Sequence, residues 1–407
     1  MDLDRLIARV RDLPHDEAVQ QVDAVFRALP AAEARALAEN RPEQVGRLDG
    51  APVQLRYRAN HLILVAAQQR LRRLDANGQA TPAQRMRLET LDELLQPAGT
   101  RLDVDADGNR VVVEVPRQFL LVEPDGQGRL IEVRGDLENA DNIAVLVPGM
   151  NNDLERARAQ SVRAEEIRQE SGPGTATVMW VGYYAPLDLE EGRSTERSRA
   201  AAPLLCRFQA GLGVVAPKAK VTLIGNSFGA QVVGRAMLAG ARAHRYLVTG
   251  CPGVDPSITL GAQLTPPGCE FFGALRARGD YVSYAEQHGP DPASFPDVVR
   301  IATDNAQRQV TGHMSYFAKN SESMANVGRV VRGDLDAVTL APRTTPAEET
   351  RMLGVSWAGA LRTVAQSKAA VPIAKVFDGI ATLRKVSTAA PRKTVARRAP
   401  RVEGPAR

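Results

Sequence analysis

Ser227 is the residue whose surroundings most invite chemistry. It lies in Gly225-Asn226-Ser227-Phe228-Gly229, directly after the apolar run KVTLIG and directly before FGAQVVGRAMLAGA. The first run reads as a strand and the second as a small-residue helix, so the serine falls on a sharp strand-to-helix turn. A turn that tight lifts the hydroxyl above the sheet, and the flanking glycines give it room, since a side chain at either place would strike the adjoining strand or helix. The free N–H groups and positive dipole end of the helix start lie beside the hydroxyl, and the N–H of Phe228 is one donor to a developing oxyanion. The five-residue pattern is weak taken alone; its place between strand and helix gives it force.

A serine hydroxyl is a poor nucleophile without a base, and the base needs an acid to orient it. When the serine sits on such a turn, the partners follow in the chain order acid, then histidine. Of the three histidines downstream, His244 follows closely after the elbow helix, and His288 lies in a Gly-Pro-Asp-Pro loop. His313 follows the last predicted strand, in ATDNAQRQVTGHMSYF, where the base belongs, with His288 in reserve. For the acid, Asp280 closes EFFGALRARGD after the second strand beyond the elbow, and Asp255 in CPGVDP is its rival. Asp304 reads better as a support for the loop that carries His313. A second oxyanion donor is expected from Pro148-Gly149-Met150-Asn151, at the backbone N–H of Met150 or Asn151, because Gly149 permits close approach to a substrate oxygen.

These residues need a frame. From residue 98 onward, predicted strands at 143–148, 176–182, 220–225, 245–250, 270–276 and 298–303 alternate with helical stretches such as 152–170 and 228–243. Near-continuous apolar strands alternating with helices argue for a mostly parallel sheet covered on both faces, an α/β fold. Ahead of it, FLLVEP and RLIEVR flank one turn, and RLDVD and RVVVEV flank another. The segment Asp103 to Glu114 matches the spacing of a calcium loop, but it sits between strands rather than helices, and Asp-Gly there reads as a hairpin turn. Residues 1–97 carry apolar side chains at helical spacing in several segments, with Pro30, Pro42, Pro52 and Pro82 as punctuation. Thr81-Pro82 suits a helix start, with Arg85 read at the third helical position in place of the Glu of a full capping box. The expected organisation is a helical module over 1–97, a catalytic part over 98–340, and an amphipathic helix with a disordered basic tail over 341–407. No internal repeat is found.

Taken in order, LDGAPVQLRYRAN, GDLENADNIAVLVPGM, VMWVGYYAPLDL, LIGNSFGAQVVG, VTGCPGVD, HGPDP, GHMSYF and SESMANVGRVV make the chain resemble a family of α/β-hydrolases with a helical N-terminal extension, long classed as a domain of unknown function. The resemblance runs over roughly residues 45 to 333. It implies the α/β-hydrolase fold and a triad of Ser227, Asp280 and His313. Asn226 departs from the family pattern, which has His before the serine; altered pocket chemistry rather than lost activity is the expectation.

The bulk properties narrow the rest. The 407 residues are 44% hydrophobic and 24% charged, ordinary for a globular protein. From Arg384 to Arg407 there are eight Lys or Arg and one acid, a net +7, so the remaining residues carry −2 of the total +5. The basicity belongs to the tail, which offers a weak case for touching anionic membrane. Nucleic acid is not expected, since no aromatic residue interleaves the charges after Phe377. The three cysteines, Cys206, Cys251 and Cys269, cannot all pair and read as reduced. No signal-peptide core or membrane-length apolar run is seen, so the cytoplasm is the expected location. Together these readings predict a serine hydrolase of the esterase or lipase type, acting on a small-molecule or lipid ester without a cofactor. An amidase or peptidase, or a non-catalytic interaction protein that kept the shell, are the alternatives.

Overall fold

The computed structural model describes residues 2–105, 108–342, 347, 350–352 and 354. The expected C-terminal amphipathic helix and basic tail lie outside the described residues. The described residues form one compact unit.

Its centre is an eight-stranded sheet of β3 (Gln118–Glu123), β4 (Arg129–Arg134), β5 (Asn142–Val147), β6 (Thr175–Val181), β7 (Lys220–Asn226), β8 (Arg245–Thr249), β9 (Phe271–Leu275) and β10 (Val299–Ile301). The spatial order is β3-β4-β6-β5-β7-β8-β9-β10. β4 runs antiparallel to both its neighbours, β3 and β6; every other pairing in the sheet is parallel. Because β5 to β8 are covered on both faces, their side chains are buried almost without alternation, the pattern expected of parallel strands. On one face lie α7 (Ala157–Ser171) and α12 (Glu322–Arg332), which close a core of Ala144, Leu146, Ile224, Leu247 and Val327. On the other lie α9 (Glu196–Val215) and α10 (Phe228–Leu238), over Val145, Val178, Leu223 and Val248. Helix α9 holds Pro203 in its interior, a residue that argues against a helix when read from sequence. Helix α10 stops at Leu238, short of the expected residue 243, where Gly240 turns the chain with a positive φ.

The first ninety-odd residues form α1 (Leu3–Val10), α2 (His15–Ala28), α3 (Ala31–Asn40), α4 (Pro42–Gly46), α5 (Val53–Ala76) and α6 (Pro82–Leu94). The start of α6 corrects one reading. With Thr81 as the cap, the third helical residue is Gln84, not Arg85; Gln84 and Thr81 bond each other's backbone N–H, and the capping box is complete. Helix α5 seals the outer strand β3. Arg56 donates to the carbonyls of Gly46 and Leu120 and pairs with Asp49 at 2.9 Å. One turn later, Asn60 donates to the Phe119 carbonyl and accepts the Val122 N–H. Edge groups that would otherwise template another strand are thereby occupied, a physical role for the sequence LRYRAN. The two arms of the Asp103–Glu114 segment lie on strands, β1 (Gly99–Val104) and β2 (Arg110–Val115), paired in antiparallel register.

Candidate active site

The turn after β7 is as tight as its sequence demands. Ser227 has φ 57° and ψ −129°, a conformation that costs a non-glycine residue roughly 1–3 kcal/mol. Its N–H is held by the Thr249 carbonyl at 2.9 Å, which fastens the strained residue to β8. A Cβ on Gly229 would lie 2.0 Å from the Val147 carbonyl oxygen, and one on Gly225 would lie 2.5 Å from Ala230 Cα, so neither position tolerates a side chain.

Two loops from farther along the chain meet this turn. Asp280 caps α11 (Tyr281–Ala285), accepts the N–H groups of Val282 and Ser283, and is fully buried. The loop after β10 carries His313 and is stitched to the Asp280 loop, since the Gly312 N–H donates to the Arg278 carbonyl at 2.8 Å. Asp304 accepts the Val310 N–H at 2.7 Å, bracing the same loop from its other end. The result is one line of contacts: Ser227 Oγ lies 2.7 Å from His313 Nε2, and His313 Nδ1 lies 2.9 Å from Asp280 Oδ1.

Burial pushes the Asp280 carboxyl up, but the bonds from His313, the Tyr316 hydroxyl and the Ser283 N–H outweigh it and hold the group below its ordinary value. Asp280 is therefore an ionised acceptor, which fixes the histidine proton on Nδ1 and leaves Nε2 free to accept from the serine. Tyr316, in GHMSYF, was not singled out from sequence. Its hydroxyl donates to Asp280 Oδ2 at 2.5 Å and accepts the Ala277 N–H at 2.9 Å. Burial and the adjacent carboxylate push its phenol well above the usual value, so it remains a donor.

The turn after β5 faces the serine. A Cβ on Gly149 would lie 2.6 Å from Ser227 Cβ. Asn152 donates to the carbonyls of Gly149 and Met150, and the Tyr183 hydroxyl donates to the Pro148 carbonyl at 2.7 Å, so the carbonyls of this turn are tied down. Asn151 is a correction: its N–H donates to the Pro186 carbonyl at 2.8 Å and is not available to a substrate. Among the described residues, the N–H groups of Met150 and Phe228 donate to no backbone carbonyl.

The rival residues sit elsewhere. His244 Nδ1 accepts the Val221 N–H. His288 Nε2 contacts the Gly192 carbonyl at 2.9 Å, and its ring stands edge-on to Phe228. Asp255 is engaged by Ser257. Trp180, Tyr183 and Phe228 form a run of neighbouring rings, with centroids 5.8 Å and then 6.5 Å apart; Trp180 is buried rather than beside the serine. The three cysteines are unpaired.

This strand order, with a serine elbow after the fifth strand of the sheet and an aspartate–histidine pair on later loops, is that of the α/β-hydrolase fold. Residues 123–288 match the family model described as alpha/beta hydrolase. An uncharacterized protein of Mycobacterium tuberculosis is 25% identical over 411 residues, covering 84% of this chain and 60% of that protein. One of Mycobacterium bovis is 29% identical over 153 residues, covering 34% of this chain and 57% of its own length. The chain thus spans less than two thirds of these relatives. Among solved structures, an α/β serine hydrolase without lid from Xanthomonas campestris is 14% identical, with a TM-score of 0.33 over 61% of this chain and 99% of that one. A thermostable esterase from Pseudomonas putida is 14% identical, with a TM-score of 0.30 over 71% of this chain and 94% of that one. No helix among the described residues is long and apolar enough to cross a membrane.

Proposed function

We propose that the protein is a serine hydrolase that cleaves carboxylic esters through an acyl-enzyme on Ser227. The observation that carries this reading is the unbroken line from Ser227 Oγ through His313 to Asp280, at 2.7 and 2.9 Å. Ser227 Oγ attacks the ester carbonyl carbon while its proton passes to His313 Nε2. The carbonyl oxygen becomes an oxyanion and takes hydrogen bonds from the N–H groups of Met150 and Phe228. The bond to the alcohol breaks as Nε2 returns the proton to the leaving oxygen, and the acyl group stays on Ser227. Water repeats the sequence, giving up a proton to His313, and the carboxylic acid leaves as serine is restored. Asp280 stays ionised throughout and stabilises the imidazolium.

The substrate on this reading is a small-molecule or lipid ester. Residues 98–340 are proposed as the catalytic part, with 1–97 and the stretch from 341 as appendages. A fluorophosphonate probe is expected to label the folded protein and to fail on Ser227→Ala. An unlabelled, folded wild type would sink the reading. p-Nitrophenyl esters of increasing chain length, run beside the matching anilides, separate esterase from amidase; turnover of anilides alone would overturn the ester preference.

A further inference from the structure

A second cavity lies away from Ser227, between the N-terminal helices and the β3–β4–β6 end of the sheet. Its volume is about 530 Å³, within the size range of small-molecule sites. The walls include Ile7, Val10, Leu48, Leu121, Ile131 and Phe208, contributed by the N-terminal helical segment, two sheet strands and a covering helix. An apolar cavity built from that many separate elements is large enough to hold a hydrocarbon chain.

Its charges are one-sided. Five arginines line it, at positions 11, 47, 56, 129 and 207, against only Asp4 and Asp49. Both acids are already engaged, Asp4 by Arg41 and Asp49 by Arg56. Arg129 is taken by Glu123. Among the described residues, Arg11, Arg47 and Arg207 form no ion pair; Arg207 donates only to the Val10 carbonyl. Arg11 and Arg207 thus face a common space with no carboxylate paired to them, and Arg47 beside them is only partly offset by the attraction of Glu123; each guanidinium favours a carboxylate or phosphate oxygen. One more donor is present. Trp180 is 1% exposed, lines the cavity, and its Nε1 meets no acceptor among the described residues. A buried indole N–H ordinarily finds a partner.

We propose that this cavity binds an anionic amphiphile, a single apolar chain ending in a carboxylate or phosphate, with the head at Arg11, Arg47 and Arg207 and the chain against the apolar wall. The proposal stands apart from the chemistry at Ser227 and does not require it.

The chain has two tryptophans, Trp180 and Trp357, so Trp357→Phe leaves Trp180 as sole reporter. Titration of that protein with ω-bromododecanoate is expected to quench its emission saturably. Dodecanoate or dodecyl phosphate should displace the probe, whichever does so better naming the head group, while acetate and dodecyltrimethylammonium should not. Arg11 and Arg47 are both exposed, so Arg11→Glu with Arg47→Glu tests the charge without disturbing the core. The affinity should fall about ten-fold or more, as expected when charged hydrogen bonds are lost. Arg35→Glu with Arg73→Glu, on exposed positions outside the cavity, makes the same change in net charge and should leave binding unaltered. Arg207→Gln provides an independent reduction should the double variant melt early. Quenching that does not saturate overturns the site, as does equal displacement by the cationic amphiphile, or unchanged affinity in both cavity variants. Fluorophosphonate labelling of Ser227, read in parallel, reports separately on the hydrolase reading.

Discussion

Asp280 and Asp291 stand in neighbouring loops, each at most 1% exposed, and their surroundings drive them in opposite directions. Asp280 is met by two backbone N–H groups, the His313 ring and the Tyr316 hydroxyl, and its carboxyl is held below the ordinary value against the effect of burial. Asp291, in HGPDP, accepts one side-chain bond from the Ala293 N–H and has Arg276 Nε at 3.4 Å. There burial wins, and the carboxyl is pushed up to about 7 despite the attraction of Arg276. Burial alone therefore does not mark a working carboxylate. What separates the two is how many donors are aimed at the oxygens.

The sharpest way to break this contrast is to remove the charge from each in turn. Asp280→Asn should lower kcat on a p-nitrophenyl ester by roughly 10⁴-fold, because an amide cannot hold the proton on Nδ1. Asp291→Asn should leave kcat nearly intact; a comparable loss there would end the distinction. Tyr316→Phe tests whether the donors do the holding. It should cost about 1–3 kcal/mol of stability in chemical denaturation and slow the reaction about ten-fold, since Asp280 Oδ2 and the Ala277 N–H each lose a partner.

The pH dependence of folding sharpens the same comparison. For Asp291 the folded value, about 7, lies above the ordinary 3.8. Between these limits the folded protein keeps a proton that the unfolded chain has lost. Its contribution to stability is greatest below 3.8 and declines as pH rises towards about 7, with a slope of at most about 1.4 kcal/mol per pH unit. Asp280 has the opposite sign: it stabilises above 3.8, and that contribution is lost as pH falls through its lowered folded value. Denaturant titrations across the upper window should show the Asp291 slope in the wild type and a flatter profile in Asp291→Asn. The smallest effect is expected at Asn226, which lies beside the nucleophile but outside its proton path. Its amide donates to Thr249 Oγ1 at 2.9 Å, so Asn226→His should cost about 1 kcal/mol in stability, with labelling of Ser227 retained.

Much of the frame was legible in the chain itself. Strand runs, the Gly-x-Ser-x-Gly turn and the helical period of the first ninety-odd residues are local patterns, and local sterics fix what they can become. Helix α9 was harder to read, because Pro203 in its interior is tolerated only through packing against the sheet. Residues 45 to 60 were recognisable as a pattern, yet their purpose was not, since Arg56 and Asn60 bond the backbone of a strand far along the chain.

At the site, chain order named Ser227, His313 and Asp280 as candidates, while leaving Asp255 and His288 in contention. Nothing local separates two aspartates that each follow a strand; the choice rests on which loop reaches the imidazole, and that depends on the twist and spacing of β8 to β10. The same holds for Asn151, whose N–H is consumed by Pro186, and for Tyr316, whose hydroxyl reaches Asp280 only once both loops have closed. Sequence by itself determined the periodicities, the strained turn and the types of group on offer, because these arise from neighbours along the chain. Distances and unsatisfied donors were decided by the tertiary fold, because hydrogen bonds are made between atoms that only packing brings within 3 Å of each other.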